Sequence, residues 1–152
     1  LQQDIQNIVN NTGLTVILVS HDPAEVLAMA DFLLVMKAGE IADYGNPSVL
    51  YATPNTPYTA RLLAKSNVLT PVAAKILDIE TRSLISILQE NVSYEINADG
   101  KFWIKDIKFR GFYNEVVLGN DELTLHMVQF PKVEIKKNTR INILVSSYHQ
   151  FQ

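Results

Sequence analysis

Residues 15–37 read TVILVSHDPAEVLAMADFLLVMK, and the fold of the first part of the chain turns on how they divide. Val16, Ile17, Leu18 and Val19 form a continuous apolar run, rich in β-branched residues and without alternation. Such a run suits a strand buried on both faces of a parallel sheet. It stops at Ser20-His21-Asp22. Asp22 is placed to cap a helix, Pro23 fits its first turn, and Glu25 completes a capping box. His21 then stands where a parallel strand ends and a helix begins, the edge of an open α/β sheet at which ligands bind. Phe32-Leu33-Leu34-Val35-Met36 predicts a further strand. Ala38-Gly39 turns the chain into Glu40-Ile41-Ala42-Asp43-Tyr44.

Upstream, Leu1, Ile5, Ile8 and Val9 fall at helical spacing, and Asn11-Thr12-Gly13 supplies a stop. Downstream, Asn46-Pro47 and Thr56-Pro57 each open a short helix with a cap followed by a first-turn proline. To Lys65 the pattern is α/β. After Ser66-Asn67 it changes to short strands: residues 83–88, 92–96, 102–104, 106–109, 113–118, 123–128 and 140–146. Asp99-Gly100 is a type I′ hairpin signal between the second and third of these. Asn120-Asp121 and Lys137-Asn138 mark turns. Strands of this length and spacing predict a small barrel or sandwich, with the boundary near residues 66–70.

The chain has 152 residues, 47% apolar and 19% charged, with a net charge of −3. This is a globular composition, with room for one domain or two small ones. The acidic balance, without a Lys/Arg block, argues against a nucleic-acid footprint. Cysteine is absent, which removes disulfides and thiolate metal sites. No apolar run reaches the length of a transmembrane helix, and the first residues do not read as a signal peptide. Leu1 in place of a starting Met, with a helical pattern already under way, is what a chain truncated at its N-terminus would show.

The order strand, Ser-His-Asp, helix, Ala-Asp, strand, Gly, strand resembles the switch-histidine region of ABC transporter ATP-binding subunits. Gly45-Asn46-Pro47-Ser48-Val49-Leu50-Tyr51-Ala52-Thr53-Pro54 resembles the family's G-x-P-x-x-[IL]-[YF]-x-x-P segment. Residues 56–63, TPYTARLL, look like the helix leading out of that domain in importers that carry a C-terminal regulatory module. The later strands resemble a TOBE-type module. The pieces that match are Asn67-Val68-Leu69, Ile107-Lys108-Phe109-Arg110-Gly111, Tyr113-Asn114-Glu115-Val116 and Ile141-Asn142-Ile143-Leu144-Val145. The family's usual Arg-Pro-Glu segment is not recognisable.

The resemblance implies that residues 1–66 are the C-terminal part of a P-loop NTPase domain, with parallel strands and helices. Residues 67–152 would be an all-β, OB-like regulatory barrel or sandwich. It further implies ATP and Mg²⁺ in the full-length parent, with His21 as the switch histidine at the γ-phosphate. The parent would be a homodimer on the inner, cytoplasmic face of the membrane, driving membrane-spanning permease subunits and open to a small-solute regulator. Iron, polyamines, sulfate and sugars are all within the family's range of cargo.

The phosphate cradle itself is not in this sequence. A Gly-rich loop works because successive backbone N–H groups close on the phosphates while a Lys reaches the outer ones. The six glycines are scattered, and none precedes a Lys-Ser/Thr pair. The Ser-Gly-Gly-Gln signature and the strand ending in Asp-Glu are also missing, so the chain alone is expected to be inactive.

Other candidates have structural explanations. His21 could simply end a strand, and Asp22 could be a cap or a dimer contact, with capping sufficient. His126 and His149 have no partner at metal-ligand spacing. Phe102, Trp103, Phe109, Phe112 and Tyr113 could form a small-ligand surface, but aromatic core is the expectation. Asp106, Asp121 and Glu122 show no acid/base pairing, and the Asn10 and Asn91 glycosylation triplets carry no weight without a signal peptide. The alternative to the transporter reading is a non-catalytic module, in which residues 67–152 bind a small ligand or dimerise.

Overall fold

The computed structural model describes residues 2–130 and 134–152; Leu1, the first member of the helical repeat, lies outside them. Helix α1 (Gln2–Thr12) ends as the Asn-Thr-Gly sequence requires. The Thr12 hydroxyl donates to the Ile8 carbonyl at 2.6 Å, and Gly13, at φ +68°, donates its N–H to Val9.

The apolar run after it departs from expectation. Residues 13–20 form neither helix nor strand, and Ile17 and Val19 are 89% and 91% exposed. A parallel strand is held by ladders to its neighbours and by helices over its faces. The described residues supply neither to residues 16–19, and every strand pair among them is antiparallel. The expected parallel sheet is therefore replaced by a mixed arrangement of helices and antiparallel sheets.

Helix α2 (Pro23–Met29) follows, then the hairpin of β1 (Leu33–Lys37) and β2 (Glu40–Gly45). Ala38 and Gly39 both take positive φ, the backbone that a two-residue hairpin turn demands. A bulge sits between Val35 and Met36. Val35 points inward against Leu50 of α3 (Pro47–Ala52) and Leu63 of α4 (Pro57–Ala64), forming a small core. Asn46 caps α3 through the Ser48 N–H, and Thr56 caps α4 through the Thr59 N–H. The buried Asp43 carboxylate accepts both the backbone and side-chain N–H of Asn55, which fixes the link between those helices.

Lys65, at φ +48°, closes α4 in a Schellman-type reversal, with the Ser66 N–H donating to Ala60. The chain enters β3 (Asn67–Leu69), then α5 (Pro71–Lys75), a turn of helix outside the expected elements. Thr70-Pro71 opens it by the same cap-and-proline device as α2, α3 and α4, with the Ala73 N–H donating to the Thr70 hydroxyl.

The remaining strands are β4 (Ile85–Ile87), β5 (Val92–Ile96), β6 (Phe102–Phe109), β7 (Asn114–Gly119), β8 (Thr124–Gln129), β9 (Arg140–Val145) and β10 (His149–Gln150). They form a three-stranded sheet ordered β10-β4-β3 and a five-stranded sheet ordered β5-β9-β6-β7-β8. Ile85, Ile87, Ile104, Leu118, Leu125 and Ile141 fill the core between them with almost no exposed surface.

The hairpin expected at Asp99-Gly100 does not form, because β9 lies between β5 and β6. Gly100 explains how: a Cβ there would stand 2.3 Å from the Ile141 carbonyl oxygen, so only glycine lets β9 run that close. Nor is there a closed barrel among the described residues. The edge strands β5 and β8 share no ladder, but the Tyr94 hydroxyl donates to the Gln129 side chain across them at 3.2 Å.

Candidate functional site

Residues 20–25 form a compact hydrogen-bonded turn. Asp22 caps α2 by accepting the Ala24 N–H at 2.9 Å. Glu25 does not return to the Asp22 N–H as a capping box would have it. Instead the Asp22 N–H donates to the Ser20 hydroxyl at 3.1 Å, and that hydroxyl donates to Glu25 at 2.6 Å. Ser20 thus relays the second half of the box. The residue between Ser20 and Asp22, His21, is exposed, and its imidazole has no hydrogen-bond partner among the described residues. The arrangement leaves an imidazole free to meet a group from outside.

Directly after it begins a cleft of about 560 Å³ that no sequence spacing announces. One wall comes from Asp22, Leu27, Tyr51 and Leu63, the other from Glu90, Glu115 and Phe130. The walls are tied where the Tyr51 hydroxyl donates to Glu90 at 2.9 Å, and again where Gln89 donates to the Lys65 carbonyl at 3.0 Å. Burial, and then the neighbouring Glu90 carboxylate, push the pKa of the Tyr51 hydroxyl up to about 12.

The aromatic residues divide. Phe102 is core, as expected. Trp103 is half-buried, with Arg140 5.2 Å from its ring centre, while Phe109 and Phe112 are 70% and 74% exposed. These three do not fill a core, because the alternation of β6 and the turn after it turn them outward. His126 is exposed on β8, and His149 stacks edge-on against Phe151 at 5.1 Å. Among the described residues, no three His, Asp or Glu side chains gather as a metal site. No helix among them is long and apolar enough to cross a membrane.

No family model matches the chain. A spermidine/putrescine import ATP-binding protein of Mycoplasma genitalium is 28% identical over 151 residues, covering 94% of this chain and 26% of the relative. The chain is similar in sequence to ATP-binding proteins of ABC transport and of spermidine/putrescine import. A protein of the same description from Acidothermus cellulolyticus is 37% identical over 76 residues, 50% of this chain and 20% of the relative. An uncharacterized ABC transporter ATP-binding protein of Sinorhizobium fredii is 28% identical over 119 residues, 78% of this chain and 35% of the relative. The chain spans between a fifth and about a third of the length of these curated relatives. The Mycoplasma match is long enough to run through both the helical part and the β part.

Proposed function

We propose that the chain is the C-terminal part of the ATP-binding subunit of an ABC importer. Residues 1–66 belong to its ATPase domain and residues 67–152 form a TOBE-like regulatory module. The observation that carries the reading is the homology running through both parts, joined to an unpartnered imidazole at the Ser20-His21-Asp22 turn. His21 acts as the switch histidine. Its N–H donates toward the γ-phosphate of ATP, where negative charge develops as the phosphoryl group transfers. This chain offers one phosphate contact and no cradle. The Gly-rich loop and the carboxylates that hold Mg²⁺ come from the rest of the subunit.

The exposed run at residues 16–19 supports the same division. Four β-branched or Leu side chains left in water are costly, by about 25 cal/mol per Å² of apolar surface. They suit a strand whose sheet neighbours lie elsewhere in the parent protein. The parent works as a homodimer, peripheral on the inner face of the membrane, and drives two permease subunits. Its cargo is a polyamine, by analogy with the names of its relatives. Calorimetric titration of the 152-residue chain with Mg·ATP tests the division of labour. No saturable binding is expected, and micromolar affinity would contradict it.

A further inference from the structure

Each part of the chain has a core of its own, and neither core crosses the connection at residues 64–67. Val35, Leu50 and Leu63 make one, while Leu69, Ile85 and Ile104 belong to the other. What lies between α2–α4 and the β part is the open cleft of about 560 Å³. Among the described residues, two side-chain hydrogen bonds span the divide: Gln89 to the Lys65 carbonyl at 3.0 Å, and Tyr51 to Glu90 at 2.9 Å. The first is made to the connection itself, on the axis of any rotation there. Only the second resists such a rotation.

The connection carries two unfavourable features. Lys65 takes φ +48° and ψ +34°, the left-handed backbone that a helix-ending reversal ordinarily gives to glycine. Next to it, Ser66 is 7% exposed, and its hydroxyl has no hydrogen-bond partner among the described residues. Buried hydroxyls in folded proteins are normally paired. Local strain of this kind gathers at switch regions, where a second arrangement relieves it. We propose that Lys65-Ser66 is a hinge on which the β part swings against α2–α4, opening and closing the cleft, with the Tyr51–Glu90 hydrogen bond as its latch. Swinging open lets the Lys65 backbone leave the left-handed region and frees the Ser66 hydroxyl from its unpaired burial. The latch opposes both gains, so one hydrogen bond more or less moves the balance. Because α2 begins at Asp22, the turn carrying His21 rides on one of the two walls. The hinge itself does not depend on the role proposed for His21.

The chain has no cysteine, so a pair of introduced ones takes spin labels at known places. Pulsed electron paramagnetic resonance on the 152-residue chain labelled at Ala28→Cys of α2 and Glu122→Cys of the β part should show two distance populations. Tyr51→Phe, which removes the latch donor, should shift their ratio about fivefold toward the open one. Lys65→Gly and Ser66→Ala remove the strain and the orphaned hydroxyl, and each should shift it about fivefold the other way. A control pair at Glu95→Cys and Glu122→Cys, both within the β part, should keep one narrow distance throughout, so the shifts report the hinge rather than a loosened fold. Variants that were merely relieved of local strain would unfold at higher urea without any change in the distances. A single narrow 28–122 distance that none of the three substitutions splits or displaces would overturn the proposal. So would shifts of the same sign in all three.

Discussion

The Asn67 side chain holds the backbone of His126 from both sides, donating to its carbonyl at 2.8 Å and accepting its N–H at 2.7 Å. Asn67 is itself nearly buried, so one carboxamide does the work of a ladder pair between β3 and the free edge of β8. It joins the three-stranded sheet to the five-stranded one. Asn67→Ala would leave the part-buried N–H and C=O of His126 without these partners, at about 1–2 kcal/mol each. Urea unfolding should show a loss of about 2–4 kcal/mol. His126→Ala should stay within about 0.5 kcal/mol of the parent, since only its backbone is used and its ring is exposed.

The insertion of β9 between β5 and β6 depends on a missing side chain. Gly100→Ala would force a methyl group onto the Ile141 backbone, so a loss of about 3 kcal/mol or more is expected. Gly111 provides the control. A methyl group added there would meet nothing within 4 Å, and only the φ of +86° resists substitution. Gly111→Ala should cost about 1–2 kcal/mol. Equal losses for the two variants would show that β9 does not run against Gly100.

Stability should respond to alkaline pH through Tyr51. Its hydroxyl titrates near 12 when folded, against 10.0 ordinarily, because burial and Glu90 oppose the phenolate. The folded state therefore binds that proton more tightly than the unfolded chain does. The contribution is fully present below pH 10 and is lost as pH rises from about 10 to 12. Comparing the pH dependence of urea midpoints in the parent and in Tyr51→Phe isolates it. The variant should decline less steeply across that window.

Local chemistry is legible in the sequence wherever neighbours in the chain settle it. Ala38-Gly39 makes the β1–β2 turn, and Asn46-Pro47 and Thr56-Pro57 open α3 and α4. Thr70-Pro71 carries the same signal for α5, masked by its place between two short strands. Features set by distant partners are not legible. Asp99-Gly100 has hairpin chemistry, yet a strand some forty residues later takes the place of the expected partner. Residues 16–19 have the composition of a covered strand, but composition does not say whether covering elements are present. The cleft joins Asp22, Tyr51, Glu90 and Glu115, and no periodicity links positions so far apart.

The proposed role of His21 is tested by ATP turnover of the full-length parent subunit in which the proposal places this chain. In the His21→Ala variant, ATP hydrolysis should fall by about 100-fold or more, as expected for loss of one transition-state donor. ATP binding should remain close to that of the parent, because the phosphate cradle is untouched. Turnover near the parent's level in His21→Ala would contradict the assignment of this imidazole to the γ-phosphate.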